Sequence, residues 1–313
     1  MMRLACLLLG LALPALAFAK GGVGAAEHGV EMSMVVTGTI AVDPDGGVYA
    51  WTLDRQEKLP PAVIEVVKAI VPAWKFKPVL VDGKPVLAKT RMSLRIVAQP
   101  LDAQHWSVRI AGAAFGRYAG RARTRAECPP GACIEFNQRR RPRYPVDMGV
   151  DGVGGTVYLV QEIGRDGHVI RQAVRQVDLR RTGETTRMAF WRHEFAQASL
   201  EAAKDWTYRV PTTGTAAAND HWVVRVPIDY ALLTPNRPLP HSVYGQWEVY
   251  VPGPVQDIPW LKENHGVGAP RGSPDAISGG GAPFMADARF VLKTPIGNAA
   301  GKSWPANHAD SGG

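Results

Sequence analysis

Residues 155–177 read GTVYLVQEIGRDGHVIRQAVRQV, and residues 38–53 read GTIAVDPDGGVYAWTL. Each stretch opens on Gly-Thr, alternates as a half-buried strand, turns at an Asp-Gly pair and resumes as a second strand. An amphipathic segment follows in both cases and closes on Trp, one spacer and an aromatic residue. These are PAVIEVVKAIVPAWKFKP at 61–78 and EFAQASLEAAKDWTYRVP at 194–211. A last alternating strand completes each set, VLAKTRMSLRIVA at 86–98 and HWVVRVPIDYA at 221–231. The same order of signals, met twice, is an internal duplication, and it decides the domain count before any finer reading. The expected fold is α+β: two tandem small units, each an antiparallel three-stranded sheet with one amphipathic helix.

The first helix is predicted to start after Pro60-Pro61, where proline costs no hydrogen bond. Its stripe is Val63, Val66, Val67, Ile70, Val71 and Trp74. In the second helix Trp191, Phe195, Ala198, Ala202 and Trp206 share a face, after an insertion at 179–187. Alternation in the last strands sends Met92, Leu94 and Ile96 inward in one unit, and Trp222, Val224, Val226, Ile228 and Tyr230 in the other. Lys89, Arg91, Ser93 and Arg95 then face the other way, and the charges of Lys89, Arg91 and Arg95 fit protection of the strand and docking equally well. Cores of this size are marginal alone, which gives the two units reason to pack together, and the sequence leaves their arrangement open.

Outside the duplication the chain divides by composition. Arg3, the apolar run 4–13 and Ala17-Phe18-Ala19 form an export leader with cleavage before Lys20. That run is shorter than the roughly 20 residues of a spanning helix. The first unit covers 34–100, a connector 101–138, the second unit 139–233, and a Pro/Gly-rich tail 234–313 is read as largely irregular, with a short strand at 246–251. Cys128 and Cys133 flank a Pro-Gly turn, which in an exported chain reads as one structural disulfide.

The net charge of +8 gathers in arginine clusters, at 117–125 and at Arg139, Arg140, Arg141 and Arg143. Outside the cytoplasm such clusters meet acidic polymers, lipid head groups or acidic protein loops rather than nucleic acid, or serve as a solvated linker. No chemistry stands out. His193-Glu194 lacks the second histidine of a zinc-protease helix, residues 297–303 fall one short of a phosphate loop, and no nucleophile elbow occurs. The expectation is therefore no enzyme, no cofactor and no metal.

The second unit resembles the C-terminal domain of TonB, the energy transducer of Gram-negative envelopes. Arg143-Tyr144-Pro145 is similar to that family's Tyr-Pro entry, and Gly149-Val150-Asp151-Gly152 to its helix end and turn. Residues 155–160 are similar to its first strand, Asp166-Gly167 to its hairpin, and 202–208 to its helix end with Trp-x-aromatic. The first unit resembles a degenerate copy without the Tyr-Pro entry. The resemblance implies a periplasmic protein that accepts a segment of an outer-membrane receptor, or of another envelope protein, as an added strand. The implied contact residues are Arg143, Tyr144, Pro145, Trp222, Val223, Val224, Arg225 and Val226. Membrane association would be indirect unless the leader stays uncleaved as an inner-membrane anchor. Pro227 interrupts the last strand, and an edge blunted against association or a docking site kept short both explain it. The alternative role is an exported adaptor that meets an acidic envelope partner through its basic surface.

Overall fold

Both Gly-Thr strands become interior strands of antiparallel sheets. The computed structural model describes residues 31–102, 104–116, 130–231, 243–263, 273–277, 282–287, 289–296 and 302–305. The leader, the arginines at 117–125 and Cys128 lie outside them. The first part of the chain contains β1 Glu31–Val42, β2 Val48–Leu53, α1 Pro61–Ile70, β3 Leu80–Val81, β4 Lys84–Pro85, β5 Ala88–Pro100 and β6 His105–Phe115. There follow β7 Glu135–Gln138, α2 Val146–Asp151, β8 Gly155–Gly164, β9 Val169–Leu179, α3 Thr185–Ala203, β10 Thr207–Arg209 and β11 His221–Tyr230. Three short elements come from the tail: β12 Glu248–Tyr250, α4 Pro259–Glu263 and β13 Lys302–Pro305. The class is α+β with antiparallel pairing. Among the described residues no helix is long and apolar enough to cross a membrane.

The second sheet has three strands in the order β11-β8-β9. In the first sheet β1 likewise lies between its hairpin partner β2 and the strand after the helix, β5. That sheet does not stop at three strands, however. It contains six, in the order β12-β1-β5-β6-β13 with β2 also on β1, which corrects the three-stranded expectation. The reason is length: β2 pairs only with 38–42 of the twelve-residue β1. Its remaining backbone groups need partners, and β12 supplies them at Glu31, Met32 and Ser33. On the far side β6, from the connector, pairs along 92–100 of β5.

A contact repeated in both units explains why the Asp-Gly turn and the Trp-x-aromatic closure recur together. In the first unit Phe76 N–H donates to the carbonyl of Gly46 at 2.8 Å, and in the second Tyr208 N–H donates to that of Gly167, also at 2.8 Å. Both glycines hold a left-handed backbone, at φ 90° and 80°. A Cβ there would sit 2.3 Å from the Phe76 oxygen or 2.2 Å from the Tyr208 oxygen. Only glycine serves the turn and the close approach at once. Trp74 and Trp206, two residues earlier in each closure, are buried in the two main cores.

Val63, Val66 and Val67 of α1 pack on Val36, Ile40, Leu94 and Ile96. On α3, Trp191, Phe195 and Ala203 pack with Val157, Leu159, Val224 and Val226. Ser199 is fully buried while Ala198 is only half-buried. The Ser199 hydroxyl accommodates burial by donating to the Phe195 carbonyl at 2.7 Å.

The opposite faces of the two sheets meet, giving the layer order α1, sheet, sheet, α3. Arg95, expected on the face opposite Leu94 and Ile96 as a protective or docking charge, is therefore buried and donates to the Tyr158 hydroxyl of the other sheet at 2.8 Å. Tail residues fill the same interior. Ala276, Ile277, Phe284 and Ala286 pack with Ala114 and Tyr158, and Ile258 packs with Val160 and Val223. The tail is mostly free of regular structure, yet it completes the core between the sheets.

Candidate partner-binding edge

The outer edge of β11 is the border on which strand addition would occur. Arg225 and Phe284 exchange both backbone hydrogen bonds, Arg225 N–H to the Phe284 carbonyl at 2.8 Å and Phe284 N–H to the Arg225 carbonyl at 2.7 Å. The backbone groups of Arg225 thus point away from β8. Alternation in an antiparallel ladder puts those of Val223, Pro227 and Asp229 on the same side. Among the described residues Arg225 carries the single backbone pairing on that side. Pro227 has no N–H to offer, so the ladder stops there.

The edge expected to be open at 222–226 is therefore already occupied at its middle by the chain's own tail. Trp222, Val224 and Val226 point into the second core and are 1 % exposed or less. Trp222 Nε1 donates to the Ala216 carbonyl at 3.0 Å. Val223 faces the other way, onto Val160 and Ile258. Arg225 donates to the Ser273 carbonyl at 3.0 Å and lies 5.4 Å from the Phe284 ring centroid. Burial, followed by the nearby Arg175, pulls its guanidinium down to about 9, and Asp275 opposes the shift.

The Tyr-Pro entry has a structural use. The Tyr144 ring sits edge-on to Phe195 at 5.9 Å and to Tyr230 at 6.2 Å, and its hydroxyl donates to the Val153 carbonyl. Burial, then Asp151, raises the phenol above its ordinary value. Pro145 precedes the first turn of α2, and Arg143 is exposed. Tyr144 and β11 share one core through Tyr230, but they present no common open surface. Cys133 is disulfide-bonded.

The polar seam between the sheets escaped sequence reading. Arg95 also donates to Ser33 Oγ at 2.9 Å and to the Asp275 carbonyl at 2.9 Å. Gln176 Nε2 donates to Asp178 Oδ1 at 2.8 Å, as does Gly253 N–H at 3.0 Å. Tyr250 donates its hydroxyl to Asp275. Asp178 Oδ2 and Gln176 Oε1 are buried without a hydrogen-bond partner. Burial, and next the Asp275 charge, raises the Asp178 carboxyl to about 7 against the opposing pull of Arg95. Arg95 keeps its charge: burial opposes it, but Tyr158, Asp275, Tyr250 and Asp178 together hold it above the ordinary arginine range. A cavity of about 40 Å³ adjoins these groups, with Arg180, Asp229 and Glu248 on its walls. Nothing local to Arg95 or Asp178 marks them as partners, because the tail residues that join them lie far along the chain.

A larger concavity of about 500 Å³ lies beside β6, between Ala113, Phe115 and residues 290–296. Among the described residues no group of three or more His, Cys, Asp or Glu is placed to hold a metal ion. No family model, no curated protein and no solved structure matches this chain.

Proposed function

We propose that this chain is a non-catalytic contact protein of the cell envelope, with two units like the TonB C-terminal domain, the first degenerate. It acts by sheet-edge strand addition in outer-membrane transport or energy transduction, and its partner is an outer-membrane receptor or another envelope protein. Export by the leader would place it in the periplasm. The observation that carries this reading is the outer edge of β11, which holds an extended segment through one residue pair, Arg225 with Phe284. An edge that accepts its own tail in this way offers the same main-chain groups to a partner strand. The partner must then displace residues 282–287, so the tail sets a threshold for binding. The shared Gly-to-aromatic closure supports the duplication on which the family likeness rests.

The test uses a photo-crosslinking residue at Asp220, whose side chain is 89 % exposed at the start of β11. Val223→Pro removes an outward N–H while retaining a small apolar side chain. The reading predicts a cross-link to an envelope protein that disappears in Val223→Pro at an unchanged melting temperature. It also predicts a stronger cross-link in Phe284→Ala, where the occupant is weakened. A cross-link equally strong in all three chains would overturn it.

A further inference from the structure

Gln176 and Asp178 project from the same face of β9, two residues apart, and both are buried. The Gln176 amide donates from Nε2 to Asp178 Oδ1 at 2.8 Å. The two atoms left over, Gln176 Oε1 and Asp178 Oδ2, have no hydrogen-bond partner among the described residues. Each is an acceptor, and a buried acceptor without a donor is costly. A proton on Asp178 Oδ2 relieves both at once. The carboxylic acid then has an O–H to give, and the amide oxygen belongs to the side chain that already bonds its Oδ1. Two orphaned acceptors on one hydrogen-bonded pair are the geometric mark of a neutral acid.

The same amide reaches the tail. Gln176 Nε2 lies 3.4 Å from Asp275 Oδ2, so one amide group stands between two buried carboxyl groups. Asp275 belongs to 273–277, which β11 grips as well. The Arg225 guanidinium donates to the Ser273 carbonyl at 3.0 Å while its backbone pairs with Phe284. Ala276 and Ile277 pack in one cluster with Phe284 and Ala286, so the two tail segments share one anchorage. The other charged or titratable groups facing Asp178 are Arg95 of β5, Tyr158 of β8, Arg192 of α3 and Tyr250 of β12. Arg180, Asp229 and Glu248 stand with it on the walls of the adjoining cavity. Arg95 gives its hydrogen bonds to Ser33, Tyr158 and the Asp275 main-chain carbonyl rather than to either carboxyl group.

We propose that a proton on Asp178 Oδ2 is the latch that holds the tail over the β11 edge. With the proton in place, Asp178 and Gln176 form a neutral acid–amide ring beside Asp275. When the proton leaves to solvent, two carboxylates face each other across one amide, and Asp178 Oδ2 becomes a buried charge without a donor. Like charges so placed repel. The partner able to withdraw is Asp275, on an irregular segment, because Asp178 is fixed in the β8–β9 ladder. Its withdrawal takes Phe284 from Arg225 and bares the edge. Burial, and next the Asp275 charge, sets the Asp178 carboxyl at about 7. Opening therefore grows as pH rises towards that value and levels off above it. The consequence for partner binding rests on the strand-addition reading, whereas the movement of the tail does not.

The test follows hydrogen exchange of the Arg225 amide, which is bonded to the Phe284 carbonyl, in the full chain with no partner present. Rates are corrected for the intrinsic pH dependence of exchange. Protection should fall by up to about a hundredfold between about pH 5 and about pH 8. At each pH it should be lower than that of the β8 amides, which open only with the whole fold. Asp178→Asn puts a permanent N–H donor where the acid O–H stood, so its Arg225 protection should change less than about threefold over the same range. Asp275→Asn keeps an acceptor for Tyr250 but removes the second charge, and the response should shrink at least about threefold. Equal protection at the two pH values, protection matching that of β8 at both, or a response undiminished in either variant would each overturn the latch. Strand addition would survive any of these results, because the cross-link from Asp220 tests it separately.

Discussion

Arg225 and Phe284, fifty-nine positions apart, form one antiparallel bridge with hydrogen bonds of 2.8 and 2.7 Å, and with it the tail closes the outer edge of the second sheet. An unpaired strand edge is a template for association, and proteins commonly cover it. Among the described residues the cover is a single residue pair. On one side Pro227 cannot continue the ladder, and on the other Val223 has no backbone partner among the described residues. Phe284 is nonetheless held firmly, because its ring is buried with Ala114 and Tyr158. The segment is thus anchored by its side chain and only lightly by its backbone.

If Pro227 ends the ladder, restoring an N–H should extend it. In an antiparallel pairing centred on Arg225 and Phe284, position 227 lies opposite Ala282. Pro227→Val should therefore show slow hydrogen exchange at the amide of residue 227, bonded to the Ala282 carbonyl. Exchange at the rate of an exposed amide would mean that the ladder stops for another reason.

Asp178 makes stability depend on pH. Its carboxyl is raised from an ordinary 3.8 to about 7 in the folded chain, first by burial and next by Asp275. Between those values the native state holds a proton that the unfolded chain has lost. Stability from this group is therefore present at the acid end and declines as pH rises through the window. Asp178→Asn cannot titrate, so it should gain on the parent protein, on the order of 2 kcal/mol, between about pH 5 and about pH 8. Urea midpoints at the two pH values decide the matter, and a gap that stays constant or shrinks would contradict it.

Arg95 is the cation that this seam depends on. Arg95→Met leaves Tyr158, Ser33 and the Asp275 main-chain carbonyl without their donor, and takes the neighbouring cation from the Asp178 and Asp275 carboxyl groups; it should cost about 3–5 kcal/mol. Combining it with Asp178→Asn should cost less than the two single effects added, because the uncompensated charge goes with the arginine. Chemical denaturation of the four chains measures this coupling, and strict additivity would show that Arg95 and Asp178 act independently.

The apolar faces of helices and strands could be read from the residues, and the closure of the sheets could not. The apolar stripe of α1 and the alternation of β11 are local patterns, and Val63, Val66, Val67, Val224 and Val226 all occupy the core they predict. Arg95 shows where such reading ends. Alternation correctly set it opposite Leu94 and Ile96, but whether that face meets water depends on a second sheet and on Asp275, 180 positions away. The candidate edge follows the same logic. The strand, its proline and the direction of its side chains were accessible from periodicity, whereas Phe284 lies in a Pro/Gly-rich stretch with no repeating pattern. Trp247, Tyr250 and Trp260 were the available hint, since aromatic residues in a tail are costly to leave in water. Tyr250 lies in the seam, and Trp260 packs against the Val160 and Val223 cluster.

The most direct measurement supplies the edge with a strand in trans. Phe284→Pro removes the N–H that bonds Arg225 and the ring that anchors the tail, and the synthetic peptide GAPFMADAR reproduces residues 281–289. Hydrogen exchange across 221–230 is followed while the peptide is titrated into the full-length variant and into the parent chain. Renewed protection of the Arg225 amide in the variant, with little change in the parent, is the predicted result. An Arg225 amide that stays unprotected at saturating peptide, in a variant that is otherwise folded, would show that this edge does not accept an added strand.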